Sequence, residues 1–381
     1  MLTDDIMNEN LSHSIPDETI DKELFQLVKK IESKPGFDSQ IKFDATKHLK
    51  PYEIKKKYTF KDFGIEKTHV EPVSEIAATD PFDFITEEAV DLMKWEIFHD
   101  KNIVKEFGRA TRGKSRLQFQ MSGFFDKLRF TKELWTSKEV QQRFNDIMGI
   151  ELEMPHVFCM GHVNVSLADS TKPELDPSID YEELLAQQDK NADQVSSALD
   201  WHYDSPPLVC VVMLSAPPNM IGGETGIKKG DESILRIPNS TPGTATVLQG
   251  RVIKHIATKP INNFDRISYV VSFVPKDPLA KDSTCATSER PGATASFTND
   301  KFYPNYLSYR FERVEKRLES FRKELMDNYS KGEKFDQMKS VNFIKDIEEY
   351  LKVCYRDFEA ISDEPYPPTL FSIPYSELPG K

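Results

Sequence analysis

Hydrophobic spacing along the chain changes period more than once. Over residues 1–75 polar residues dominate, punctuated by Lys, Glu and Pro, and the stretch Asp21–Glu32 alone suits a short helix. An arm that wraps a domain is expected there, not a separate fold. From 76 to 150 the period is helical. Thr86 can cap a helix whose apolar residues Ala89, Leu92, Met93 and Ile97 recur at i, i+3 and i+4 spacing. Thr136 and Glu139 form a capping-box pattern, and Gly149 marks the end of that second helix. Such helices are expected to buttress one face of a β core.

From about Pro155 the runs shorten and become β-branched. His156–Met160, Val163–Leu167, Leu208–Leu214, Thr244–Leu248, Val252–Ala257 and Ile267–Val274 read as strands separated by Gly, Pro and Asn turns. That pattern predicts a sandwich or jelly roll over 151–280. A polar insert at 168–200 interrupts it, with nine acidic residues against Lys172 and Lys190. Inserts of this length are either lids or disordered, and both readings stand here. Beyond 300 the period is helical again. Leu307, Phe311, Val314, Leu318, Phe321 and Leu325 form one stripe, and Ile344, Ile347, Leu351, Cys354 and Phe358 a second. A helical pair over 300–365 is expected to pack on the same domain, with a homodimer contact through it as the other reading. The whole is an α+β chain of 381 residues, one large domain with terminal elaborations.

Composition narrows the function classes. No stretch approaches the ~20 apolar residues that cross a bilayer, and Met1–Glu18 has no apolar region of a secretory signal, so no membrane association is expected. Formal charge is −12, which disfavours phosphate backbones, so no nucleic-acid partner is expected. The basic run Lys101, Lys105, Arg109, Arg112, Lys114 and Arg116 reads as a solvated face. Cys159, Cys210, Cys285 and Cys354 lie far apart with no CxxC pair, and Cys159 and Cys210 sit in apolar runs as buried thiols, which fits a reducing cytoplasm.

The chemistry concentrates in three places. His202 and Asp204 are i and i+2, so on an extended strand they project together while Tyr203 points away. His255 follows 51 residues after Asp204, between Ile253 and Ile256. A buried imidazole needs a partner, and a metal would supply one. Two imidazoles and a carboxylate make a three-ligand face for ferrous iron that leaves positions open. Arg266 comes 11 residues past His255 and Ser268 two further on, sharing a face. A guanidinium and a hydroxyl so placed suit capture of a carboxylate. Asn164, Thr225 and Tyr269 are secondary candidates for cofactor or substrate. Arg251, by strand parity with His255, reads as either an inward substrate-carboxylate reader or a buried ion pair. His156 and His162 read as structural, and Trp201 as packing.

His202-x-Asp204, His255 and Arg266-x-Ser268 together resemble the defining motif of the iron(II)/2-oxoglutarate dioxygenase superfamily. Gly222-Gly223-Glu224-Thr225 is similar to a loop of prolyl-hydroxylase-type members. The stretches Gly161–Ser166, Trp201–Ser205 and Leu248–Arg251 resemble a group of poorly characterised fungal oxygenases. The resemblance implies a double-stranded β-helix holding iron(II) on His202, Asp204 and His255. It implies 2-oxoglutarate paired with Arg266 and Ser268, with dioxygen as the other cosubstrate. The product side would be succinate, carbon dioxide and a hydroxylated or desaturated substrate. A small-molecule substrate is the first reading and a protein or peptide hydroxylase the second. A jelly-roll module that keeps a metal without chemistry is the third, and a zinc-bound cupin-like isomerase or hydrolase the fourth.

Overall fold

The central strands carry almost no position open to water, which only a strand covered on both faces can do. In the computed structural model, which describes residues 18–110, 117–190, 201–237, 241–258, 260–286 and 299–358, these strands lie mid-sheet. The large antiparallel sheet runs β1 (Lys57–Thr59), β2 (Ile76–Thr79), β11 (Thr244–Leu248), β8 (Leu208–Ser215), β13 (Arg266–Pro275), β7 (His162–Ser166), β5 (Gln118–Met121), β4 (Gly108–Ala110). Two short strands, β3 (Phe82–Asp83) and β6 (Leu152–Glu153), pair with β11 and β13. A small sheet runs β10 (Ile234–Ile237), β9 (Thr225–Lys228), β12 (His255–Ala257).

Strand parity divides the large sheet into two faces. Cys210, Val212, Leu214, Ile267, Tyr269, Val271 and Phe273 point outward into a cluster with Leu92, Met93, Trp135 and Phe144 of the flanking helices. Val209, Val211, Val270 and Leu248 point the other way, against Ile227, Ile237 and Ile253 around the small sheet. The core is therefore a sandwich of two antiparallel sheets with helices on the outer face of the larger.

The helices form where the capping signals place them. Glu18–Glu32 buries Ile20, Leu24, Val28 and Ile31. Thr86 caps Glu87–Phe98, its hydroxyl accepting from the Ala89 amide. Gly149 closes Lys138–Met148 in the left-handed conformation at φ 72°. The N-cap of that helix is Ser137, one residue past the expected Thr136. Arg129–Thr136 has no cap of its own at Leu128. The buried Glu96 carboxylate supplies one from a neighbouring helix, accepting from the Phe130 and Thr131 amides at 2.7 and 2.9 Å.

Several expectations are corrected. His156–Met160 is not a strand; it holds a 3₁₀ turn at Val157–Cys159. Val252–Ala257 is a strand only over His255–Ala257, because the Val252 and Ile253 amides turn back onto the Gln249 carbonyl. The 76–150 segment is more than a helical buttress, since it also supplies β2 to β5, and the 1–75 arm supplies β1.

The C-terminal pair is Asn299–Ser330 and Gln337–Arg356. Its root packs Phe302, Tyr303 and Tyr306 on Phe158 and Ala286. The helices then join each other through Val314, Ile347 and Tyr350, with Phe321 stacked on Phe343 at 4.0 Å. The buried face of the long helix is not the expected aliphatic stripe: Phe311 and Leu318 are about half exposed, while Arg310, Arg313 and Arg317 are buried. Buried Asp282 explains the shift. It accepts from the Tyr309 and Tyr350 hydroxyls at 2.7 and 2.6 Å and lies 3.8 and 3.6 Å from Arg310 and Arg313. Among the described residues no helix is long and apolar enough to cross a membrane.

Candidate metal and carboxylate site

The segment 202–204 crosses the start of β12 as an antiparallel bridge. The His202 and His255 amides each donate to the other's carbonyl at 3.0 Å, and the Asp204 amide donates to the Gly250 carbonyl at 2.9 Å. This local pairing turns the three side chains onto one point. The Asp204 carboxylate lies 3.5 Å from His202 Nε2 and 3.4 Å from His255 Nε2, and the three ligand atoms all fall within 4.8 Å of one another. The His255 Nδ1–H donates to the Ile253 carbonyl at 3.0 Å, which leaves the Nε2 lone pair facing the carboxylate.

Electrostatics keep the ligand set in its binding form. Burial pushes the His255 imidazole below its ordinary range, against the pull of Asp204, so it stays neutral. Burial pushes the Asp204 carboxyl up, but His255, His202 and His162 outweigh it and hold it below the usual carboxylate range. Gly250 completes the cradle: a Cβ there would stand 1.8 Å from Asp204 Oδ2. Two imidazole nitrogens and one carboxylate fit iron(II) as a donor set.

Arg266 opens β13 and is buried, 5% exposed. Its Nε donates to the Gly223 carbonyl at 3.0 Å, and no acid among the described residues forms an ion pair with it. Burial without such a partner pushes the guanidinium below its ordinary range, with Glu224 opposing from a distance. Asp265 is not the partner. Its carboxylate accepts from the Ala168 amide at 2.8 Å, and burial raises it. Gly223, at φ +83°, has no room for a side chain against Met220 and Arg266. Ser268 is buried on the same face of β13 as Arg266. A buried cation short of an anion, beside a hydroxyl, fits the distal carboxylate of 2-oxoglutarate.

The other candidates distribute as follows. Asn164 pairs in register with Ser268 and faces the same interior. Its Oδ1 accepts from Gln120 Nε2 at 3.0 Å and from His162 Nε2 at 3.2 Å. His162 Nδ1 in turn accepts from the Ser122 hydroxyl at 2.6 Å. His162, expected as a structural residue, is thus part of a polar ladder near Asp204, and Gln118 and Gln120 join it from β5. Those glutamines were missed; their signal was the alternation Gln118-Phe119-Gln120-Met121-Ser122. Thr225 opens β9 opposite Ala257. Tyr269 faces the helices, its hydroxyl donating to the Met160 carbonyl at 3.1 Å. His156 lies in the aromatic cluster of the C-terminal root.

Arg251 does not share the parity of His255, because it sits in the turn before β12. It lines a separate cavity of about 480 Å³ with His69, Asp282, Arg310 and Tyr350, and its Nε donates to the Ser283 carbonyl at 3.2 Å. Of the 168–200 insert, 191–200 lies outside the described residues. The start of the insert is pinned to the loop that leads into Arg266: the Asp169 amide donates to Asn263 Oδ1 at 2.8 Å, and Asn263 Nδ2 donates to the Asp169 and Lys172 carbonyls. In the basic run, residues 111–116 lie outside the described residues. All four cysteines are buried and none forms a disulfide among the described residues.

No family model matches the chain, and no curated protein matches it, so the fungal resemblance finds no support there. Solved structures do match. One is an oxidoreductase of the 2OG-Fe(II) oxygenase family from Burkholderia pseudomallei: 12% identity, 45% of this chain and 73% of that one, TM-score 0.28. Another is a Pseudomonas putida prolyl-4-hydroxylase: 10% identity, 55% and 99% covered, TM-score 0.28. A third is a non-heme α-ketoglutarate-dependent epimerase from nogalamycin biosynthesis: 12% identity, 44% and 65% covered, TM-score 0.27. The solved structures that this chain resembles are thus 2-oxoglutarate–iron(II) oxygenase family proteins, while the functional reading rests on the chain's own residues.

Proposed function

We propose that this protein is an iron(II)- and 2-oxoglutarate-dependent oxygenase acting on a small-molecule substrate, built on a double-stranded β-helix. One observation carries the reading. A His202–Asp204–His255 ligand face and a buried Arg266, with no ion-paired acid among the described residues, occur in one chain, joined through Ser268, its register partner Asn164, and His162 beside Asp204. Either feature alone has simpler explanations; a zinc hydrolase would leave Arg266 buried without a purpose.

His202, Asp204 and His255 would hold the metal, with the Ile253 carbonyl fixing the His255 tautomer and Gly250 leaving room for the carboxylate. Arg266 and Ser268 would orient 2-oxoglutarate by its far carboxylate, and Thr225 stands near the loop that Arg266 holds. Iron(II) with 2-oxoglutarate and dioxygen supplies oxidation of a C–H bond, with release of succinate and carbon dioxide. The insert pinned at Asn263 supports a covered site, which favours a metabolite over a peptide laid in an open groove.

The test is an anaerobic titration with ferrous iron and 2-oxoglutarate, followed by visible absorption. A weak charge-transfer band that needs both, vanishes in His202→Ala and demands more oxoglutarate in Arg266→Ala is expected. Zinc retention with no response to 2-oxoglutarate would overturn the reading.

A further inference from the structure

Two of the three ligand side chains depend on one turn, and a single buried residue heads it. Gln249 directly follows β11 and is fully buried. Its carbonyl accepts from the Val252 and Ile253 amides at 2.9 and 3.0 Å, which folds residues 249–253 into the turn before β12. That turn supplies both ligands with backbone partners. The Gly250 carbonyl accepts from the Asp204 amide at 2.9 Å, and the Ile253 carbonyl accepts from His255 Nδ1–H at 3.0 Å. Backbone carbonyls have no rotamer to adjust, so each stands where the turn puts it.

The Gln249 carboxamide fixes the turn to a remote part of the chain. Its Oε1 accepts from the Val73 amide at 2.9 Å. Its Nε2 donates both protons, to the Ser74 carbonyl at 2.8 Å and the Ile76 carbonyl at 2.7 Å. One amide donor and two carbonyl acceptors around the group admit only one orientation of the carboxamide. The backbone adds a fourth bond, from the Gln249 amide to the Ala77 carbonyl at 2.9 Å. The register pairing of β11 with β2 is confined to Leu248 opposite Ala78. Past that pair, the carboxamide carries the hold of residues 73–76 into the turn.

We propose that Gln249 is a positioning residue of this site: acting through the turn it heads, its carboxamide sets the placement of Asp204 and the tautomer of His255, and with them the affinity for metal. The metal part rests on the oxygenase reading; the placement and the tautomer do not. Without the carboxamide the turn loses its hold on residues 73–76, and the Ile253 carbonyl no longer stands at a fixed place before His255 Nδ1. The single proton of the neutral ring is then free to move to Nε2, the atom that faces the carboxylate and must be bare to bind metal.

The experiment compares the full chain as wild type, Gln249→Leu and Thr79→Val. Thr79 is the control for loosening alone. It is fully buried and its hydroxyl accepts from the Val247 amide at 3.1 Å, so it joins the same two strands ahead of the turn. Two properties are read: Co(II) affinity by visible absorption, and the His255 tautomer of the metal-free protein by NMR of ¹⁵N-labelled histidine. In Gln249→Leu, Co(II) is expected to bind roughly 10–100-fold more weakly, and Thr79→Val to stay within ~3-fold of wild type. The His255 ring is expected to pass from the Nδ1–H form to a mixture in Gln249→Leu and to keep that form in Thr79→Val, although both variants melt at lower temperature. A folded Gln249→Leu with wild-type affinity and tautomer would overturn the proposal. So would equal losses in Thr79→Val, which would assign them to a loosened sheet. If Gln249→Leu does not fold, Gln249→Glu keeps the length and the acceptor toward Val73 but removes both donors, and the same losses are expected. If neither folds, Gln249 serves folding alone and the proposal fails. If the wild type binds no Co(II), the oxygenase reading fails and the tautomer decides alone. A mixture confined to Gln249→Leu upholds the role of Gln249, and an unchanged ring ends it.

Discussion

Gly250→Ala isolates the metal cradle from everything else in the fold. The added Cβ would meet Asp204 Oδ2 at 1.8 Å and Cγ at 2.6 Å, where ordinary contact begins at 3.4 Å. The carboxylate oxygen must retreat by about 1.6 Å. Coordination tolerates deviations of only ~0.2 Å, so Asp204 leaves the ligand set. Gly250 is not in the positive-φ region, so alanine adds no backbone strain. Losing one ligand of three exceeds a perturbation behind the ligands, which costs roughly 10–100-fold in affinity, so at least ~100-fold is expected. The assay is an Fe(II) or Co(II) titration of wild type, Gly250→Ala and Asp204→Ala, with thermal unfolding in chelator as the control. The two variants should lose metal to a similar degree, and their metal-free stability should stay within about 1 kcal/mol of wild type. Iron affinity of Gly250→Ala within ~3-fold of wild type would refute the geometry of the site.

Three further outcomes are expected. Arg266→Ala should raise the oxoglutarate requirement about 100-fold, the loss of charge-assisted hydrogen bonds worth roughly 3 kcal/mol, with Arg266→Lys intermediate because it keeps the charge but not the fork; competition by oxoglutarate in the metal titration reads this. His156 is fully enclosed, and burial lowers it to about 4, so the unfolded chain binds its proton first as pH falls from ~6.5; its stabilising contribution is present above that pH and lost on the way down to about 4. Urea midpoints at pH 7 and pH 4.5 should therefore converge in His156→Phe by up to ~3 kcal/mol relative to wild type, and an unchanged pH gap would contradict this. Asp282→Ala should strand Arg310 and Arg313 and destabilise the chain by about 3–5 kcal/mol, read as a lower melting temperature.

The convergence of these side chains was legible because its logic is local. His202 and Asp204 are i and i+2, as are Arg266 and Ser268, and short spacing conveys a shared face without knowledge of the partner strand. Thr86 and Gly149 were legible for the same reason, since caps bond within one turn. What failed was non-local. Arg251 was placed by extending a strand that a turn at Gln249 cuts short. The buried arginine stripe of the long helix was invisible because its cause, Asp282, lies outside that helix, on the segment after β13. Glu96 capping a neighbouring helix leaves no trace in either helix's own spacing. The Gln118–Ser122 alternation was readable, but a polar inward face looks like a solvent face until the sheet closes over it.

Register explains how one strand serves both the core and the site. β13 places Ile267 and Tyr269 among the helices and Arg266 and Ser268 toward the interior, so a slip of one residue would bring Ile267 and Tyr269 to the interior and send Arg266 and Ser268 among the helices. The pairing with β7 is regular from Arg266 opposite Ser166 to Val270 opposite His162, and that regular pairing aligns the polar row of β5 and β7 with Arg266. On its other edge β13 pairs with β8 through an irregularity between Ile267 and Ser268, which shift from Ser215 to Met213. Such irregularities re-aim side chains at the rims of sheets. Here it falls between the apolar stretch of β8, which closes one half of the interior, and the start of β13, which carries Arg266 and Ser268 into the other half. The apolar half, with Val209, Val211, Leu248 and Ile253, contributes the stability of the sandwich, and that stability offsets the burial of Arg266 in the polar half.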